Sequence, residues 1–176
     1  VVGGGADNAC GAVGSGIIKA GRVMASLGSS GVVVAQTDKP EADPGGRIHL
    51  FNHAVPNSYY MMGVVLSAGM SFKWMKEEMF NDELDFETLN KEAAAVEAGS
   101  DGLTFLPYLY GERTPHADAD ARGVFFGISG KHKRGHFIRS VMEGVSFGLR
   151  DSLELIKDRG VEIEEIRLIG GGAKSE

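Results

Sequence analysis

Cysteine is almost missing from this chain, with Cys10 alone among 176 residues. That excludes an internal disulfide and a cysteine-built zinc site, and makes a reducing cytoplasm the expected setting. The small neighbours Ala9 and Gly11 cast the Cys10 thiol as a buried filler. No apolar run approaches the roughly 20 residues that cross a bilayer, so no membrane partner is expected. A dense Lys/Arg block is absent too: 18 basic residues stand against 24 acidic ones, a formal charge of −6. This balance argues against a nucleic-acid groove, yet a small anion held by backbone amides needs no basic surplus. The chain begins at Val1, with neither methionine nor a basic-then-apolar leader, which leaves both readings open, a whole polypeptide and an excerpt of a longer one. Charged residues at 24% and hydrophobic ones at 43% fit one globular unit with a buried core.

Glycine is the residue in excess, 26 of 176, roughly twice the usual share. Three glycine-rich turns carry much of the interest. Gly3-Gly4-Gly5 follows Val1-Val2, Gly28–Gly31 joins two β-prone stretches at Arg22–Ser26 and Val32–Gln36, and Gly170–Gly172 follows Ile166–Ile169. The middle one reads as a hairpin. Apolar spacing predicts helices from residue 8 to about 18, over Ser71–Phe80, over Phe86–Ala98 and, most strongly, over His136–Asp158, with Gly160 as its C-terminal stop. Ile48–Ala54, Tyr59–Val65 and Gly102–Leu109 read as extended, and Tyr110–Arg122 as a polar loop. Gly144 and Gly148 stand one helical turn apart. The class implied is α/β, without internal repeat or linker.

Several glycine turns on one α/β sheet would present free N–H groups at its ligand-binding edge. The plainer alternative is that each glycine merely permits a turn with positive φ. Ala173-Lys174-Ser175 lacks the glycine that a P-loop places before lysine, and Gly11, Gly14 and Gly16 do not spell the dinucleotide fingerprint. Asp7 stands at an expected helix start, where it serves either as a general base for a substrate hydroxyl or as an ordinary N-cap. Asn8 beside it orients a polyol or faces solvent. Ser29 and Ser30 offer hydroxyls and amides to a phosphoryl group, or simply fill a turn. None of the five histidines has metal-ligand spacing, so no metal ligand is assigned. Lys131–Arg134 reads as a solvated basic loop, and Trp74, Met75 and Met79 as core.

Taken together, Gly4-Gly5-Ala6-Asp7-Asn8-Ala9-Cys10-Gly11-Ala12-Val13-Gly14, Leu27-Gly28-Ser29-Ser30-Gly31 and Gly111-Glu112-Arg113-Thr114-Pro115-His116 closely resemble the FGGY carbohydrate kinases. A fourth stretch, Gly123-Val124-Phe125-Phe126-Gly127-Ile128 followed after seven residues by His136-Phe137 and then by Ser140-Val141-Met142-Glu143, resembles that family's second signature. The resemblance runs over almost the whole of residues 1–176. It implies an incomplete C-terminal domain of ribonuclease-H-like fold, in the actin-like ATPase and sugar-kinase superfamily, with the N-terminal sugar-binding domain outside this chain.

By the same resemblance Asp7 is the catalytic base, and Asp7 and Asn8 lie against the sugar. Gly28, Ser29, Ser30 and Gly31 hold the ATP phosphates, and Gly171, Gly172, Ala173 and Ser175 begin the adenosine contact. Ser29 stands where the family often has threonine, which keeps the hydroxyl and loses a methyl. The implied reactants are a small-molecule sugar and ATP, with Mg²⁺ carried by ATP and water, and a homodimer stays open. The implied reaction is phosphorylation of D-xylulose to D-xylulose 5-phosphate, with gluconate as the alternative acceptor. A non-catalytic sugar- or nucleotide-binding module is the competing reading. Residues 1–176 alone are expected to be inactive, because half of the cleft is missing.

Overall fold

The computed structural model describes residues 4–174. Helix α1 (Asp7–Gly14) leads into strands β1 (Arg22–Leu27) and β2 (Gly31–Thr37), then β3 (His49–Asn52) and β4 (Tyr59–Val65). Helix α2 (Gly69–Trp74) continues into a π-turn at Met75–Met79 and is followed by α3 (Phe86–Ala94). A small hairpin of β5 (Thr104–Leu106) and β6 (Val124–Phe126) precedes the long helix α4 (Arg134–Asp158) and the last strand, β7 (Glu165–Ile169). The α/β class holds.

The main sheet runs β3-β4-β2-β1-β7. Its first four strands are antiparallel neighbours, whereas β7 returns after α4 to lie parallel to β1, with Arg22 opposite Glu165 and Ser26 opposite Ile169. Period-two alternation divides the side chains between two faces. Met24, Val34 and Met62 line one face and pack on Ala9, Ala12 and Ile17 of the α1 segment. Val23, Val33 and Met61 line the other, beneath Leu155 and Ile156 of α4. The first half of α4 serves a separate cluster, in which Ile138 and Val141 meet Phe105, Leu89 and Met75. One helix therefore joins two cores.

Its close fit depends on small residues. A Cβ on Gly63 of β4 would lie 2.5 Å from the Ser152 side chain, and one on Gly148 would lie 3.1 Å from Val65. The helix stops where expected, because Gly160 at φ 76° donates its N–H to Lys157 O at 2.8 Å.

Several local expectations needed adjustment. Cys10 is exposed, because Ala9 and Ala12 occupy the sheet-facing side of α1. Met75 is buried but Met79 is exposed, since the wider π-turn no longer stacks residues four apart. The strand expected across Gly102–Leu109 is only Thr104–Leu106 and ends before Pro107, which has no N–H for a ladder. Its partner β6 lies in a segment to which sequence reasoning gave no strand. The Lys131–Arg134 stretch is not merely solvated: Lys131 pairs with Asp101 and Arg134 with Glu92.

Asp43 ties the loop after β2 to the end of α4. Its side chain has no exposed surface and meets Arg47 at 2.9 Å and Arg159 at 2.7 Å. The Arg47 hydrogen bonds, chiefly, hold its pKa at about 2, down from an ordinary 3.8. A lowered carboxylate pKa stabilises the fold fully above pH 3.8 and loses that contribution as pH falls towards 2. Asp43→Asn should therefore lower the unfolding midpoint at pH 7 and flatten its acid limb, as read by thermal melts across pH 2–7.

Candidate active site

The carboxyl ends of β1 and β7 meet at one edge of the sheet, the usual ligand edge of open α/β folds. Gly170 follows β7 at φ 91°, and a Cβ there would lie 2.6 Å from Leu27 O, so only glycine fits between these strand ends. Leu27 is also the last residue before the 28–31 bend. Two of the three glycine turns are thus brought side by side. Gly171 has open space around its α-carbon, while Gly172 packs on the Leu27 side chain. Ala173 is exposed and donates its N–H to Gly170 O at 3.3 Å. Ser175 lies outside the described residues.

The backbone groups of the 28–31 bend divide into bonded and available ones. Gly28 N–H donates to Ser30 O at 3.0 Å, within the bend. The carbonyls of Gly28 and Ser29 accept from Gly69 N–H at 2.9 Å and Met70 N–H at 3.0 Å, at the start of α2. The N–H groups of Ser29 and Ser30, and both hydroxyls, have no partner among the described residues. Carbonyls are turned into the protein and donors are left outward, the polarity that an anion requires.

The glycines of this bend are not explained by positive φ, which neither Gly28 nor Gly31 has. Gly31 is buried, and a Cβ there would strike Leu149 at 2.8 Å and Ala68 at 3.1 Å. It is a packing glycine. Sequence reasoning missed Gly69, where a Cβ would lie 2.5 Å from Gly28 O and force the bend away from α2. The available signal was a glycine four residues past the end of the apolar β4 run.

Asp7 opens α1, where the helix dipole favours a negative charge. The N-cap position belongs to Ala6, and among the described residues the exposed Asp7 carboxylate accepts only from Asn8 N–H, at 2.8 Å. Asn8 donates its side-chain amide to Met62 Sδ at 3.4 Å, so the helix start sits over β4. Met62 pairs with Val34, three residues from Gly31, or about 10 Å along the strand. Burial pushes the Tyr60 phenol up, and the Asp7 charge raises it further. Asp7 and Asn8 therefore lie over the Tyr60–Met62 part of β4, on the sheet face lined by Met24 and Val34, at mid-strand and not at the end that carries the bend.

The Gly111–His116 run forms the rim beyond β3. Glu112 is 2% exposed and accepts at Oε1 from Leu66 N–H at 2.9 Å and Arg113 N–H at 2.8 Å. Burial pushes its carboxyl up, against the pull of those two bonds. Arg113 lies 2.7 Å from His49 Nε2, and burial, then the Arg113 charge, hold that imidazole down. An open cavity of about 320 Å³ lies between these groups, Leu66 and Tyr110. No group of three His, Cys, Asp or Glu side chains among the described residues is arranged to hold a metal ion.

The model of the FGGY family of carbohydrate kinases, C-terminal domain, matches residues 23–176. The chain belongs to that family. This FGGY domain has the ribonuclease-H-like fold of the actin-like ATPases and sugar kinases, here with four antiparallel strands, a helical crossover and a parallel fifth. It is 46% identical to the xylulose kinase of Bacillus subtilis (strain 168) over 100% of this chain and 35% of that protein. The gluconokinase of the same strain is 35% identical over 98% of this chain and 36% of its own length. Among solved structures, a xyloylose kinase from Brucella ovis superposes with a TM-score of 0.92 at 38% identity, covering 99% of this chain and 36% of that one. The FGGY domain thus spans about a third of the length of the relatives it matches. No helix among the described residues is long and apolar enough to cross a membrane.

Proposed function

We propose that the whole protein transfers the terminal phosphoryl group of ATP to a sugar hydroxyl, with D-xylulose as acceptor and D-xylulose 5-phosphate as product. In this reading residues 1–176 supply the C-terminal half of a two-domain cleft. The observation that carries the chemistry is the 28–31 bend, whose Gly28 and Ser29 carbonyls are tied to the start of α2 while the Ser29 and Ser30 amides have no partner among the described residues. The choice of sugar rests on the greater identity to a xylulose kinase than to a gluconokinase.

Phosphoryl transfer asks a protein mainly for in-line placement and for neutralisation of charge on the equatorial oxygens. The Ser29 and Ser30 N–H groups line the terminal phosphate, and the edge beside Gly171 receives the nucleoside, with Ser175 following. Asp7 accepts the proton of the attacking hydroxyl as the oxygen–phosphorus bond forms and ADP leaves. Asn8 fixes the sugar beside it. Mg²⁺ accompanies ATP as a hard cation, and the exposed Asp7 carboxylate and Ser29 hydroxyl are oxygen donors of the kind it prefers. When bound it supplies positive charge to the phosphate oxygens.

The work belongs to the cytoplasm, where the exposed Cys10 thiol stays reduced. Residues 1–176 by themselves turn over no sugar, because the opposite wall of the cleft lies outside them. ADP release from a panel of D-xylulose, gluconate, glycerol and D-ribulose tests the assignment on the whole protein. D-Xylulose should give the highest kcat/KM; turnover confined to gluconate overturns the choice of sugar, and binding of sugar and ATP without transfer overturns the kinase reading.

A further inference from the structure

We infer that Glu112 is a positioning residue for the nucleotide cradle: its carboxylate fixes the β4–α2 connection, and that connection clamps the 28–31 bend. The inference rests on the kinase reading of the bend.

The β4 edge of the sheet is unfinished beyond β3. Strand β3 pairs with β4 only from Asn52–Tyr59 to His49–Met62, so the backbone groups of Val64 and Leu66 on that edge need other partners. Thr114 meets the first need. Its N–H donates to Val64 O at 3.0 Å, and its hydroxyl accepts from Val64 N–H at 3.0 Å while donating to Arg47 O at 2.8 Å. At Leu66 no backbone replaces the strand. The N–H donates instead to Glu112 Oε1, 46 residues away in sequence. A carboxylate is an expensive group to bury, and Oε2 of this one has no hydrogen-bond partner among the described residues.

The residues just beyond Leu66 carry its placement to the cradle. Ser67 is fully buried, and its carbonyl accepts from the Ser71 hydroxyl at 2.5 Å. Between them, Gly69 and Met70 give their N–H groups to Gly28 O and Ser29 O. A shift of the segment after Leu66 would release those carbonyls and let the Ser29 and Ser30 amides rotate out of register. Sugar-facing Asp7 and Asn8 lie on α1 and make no bond to this path.

The test uses Glu112→Ala and Glu112→Gln in the whole protein. Glu112→Ala should raise the dissociation constant for MgADP, measured by calorimetry without sugar, and KM for ATP by roughly tenfold, the scale of one lost charged hydrogen bond. KM for the sugar should stay within about twofold, and amide exchange at Gly69 and Met70 should accelerate while the α4 core is unchanged. Glu112→Gln, which keeps the Oε1 acceptor, should restore MgADP affinity. Because burial raises the Glu112 carboxyl, its contribution to stability is full below an ordinary 4.5 and declines as pH rises through the raised value; glutamine should abolish that decline.

If Glu112→Ala does not fold, Glu112→Asp, one methylene short of both donors, gives the same readouts. Unchanged nucleotide affinity in the folded variant, or equal losses in both KM values, overturns the inference. A wild-type protein that binds MgADP but phosphorylates no sugar refutes the kinase reading and leaves the calorimetric test of Glu112 intact.

Discussion

Asp7→Asn lowers turnover of the whole protein by about 10²–10⁴-fold, the range associated with loss of a positioned acid or base, and leaves KM for ATP within about twofold. The substitution keeps the size of the side chain and one oxygen acceptor, so Asn8 N–H keeps its 2.8 Å bond. It removes the ability to take a proton. The side chain is exposed and helps no core, so stability should barely move. Single-turnover measurements with saturating sugar and ATP separate the chemical step from release. A variant that turns over like the wild type removes Asp7 as the base, and one that loses ATP affinity instead places Asp7 among the phosphate contacts.

Gly144→Ala should produce the largest loss of stability. Gly144 lies in α4 where the helix passes over β5, and a Cβ there would be well inside the 3.0 Å that real Cβ contacts essentially never breach, against the Phe105 carbonyl oxygen. That atom is backbone and cannot swing aside. Alanine is the better helix former by about 1 kcal/mol, whereas overpacking of this kind costs about 1–3 kcal/mol or more. The clash wins, because relief requires separating α4 from β5 and loosening the Phe105, Ile138 and Val141 cluster. Denaturant unfolding should show a lower midpoint with little change in slope. Equal or greater stability would mean that α4 and β5 approach less closely than described.

These positions differ in how far the sequence alone reveals them. The β1–β2 hairpin is legible, since β-prone runs flank a short Gly/Ser joint, and α4 is legible from apolar residues three and four apart. Both are local patterns. The free amides of the 28–31 bend follow in part from the motif, but the reasons for its glycines do not. Gly31 is glycine because Leu149 and Ala68 close in from distant parts of the chain, and Gly69 because Gly28 O does. The bond from Leu66 to Glu112 crosses 46 positions and belongs to no periodicity. Cys10 illustrates the opposite failure. Small neighbours suggested a buried thiol, yet which side of α1 meets the sheet is decided by Ala9, Ala12 and the facing Met24, Val34 and Met62. Strand β6 is three residues long and finds its register only against β5.

The most direct test is a crystal structure of the whole protein with MgADP or a non-hydrolysable ATP analogue and D-xylulose. The account predicts phosphate oxygens about 2.8–3.0 Å from the Ser29 or Ser30 amide nitrogens, with the acceptor hydroxyl of the sugar facing the Asp7 carboxylate. Nucleotide phosphates held elsewhere while the 28–31 bend faces only solvent would contradict it.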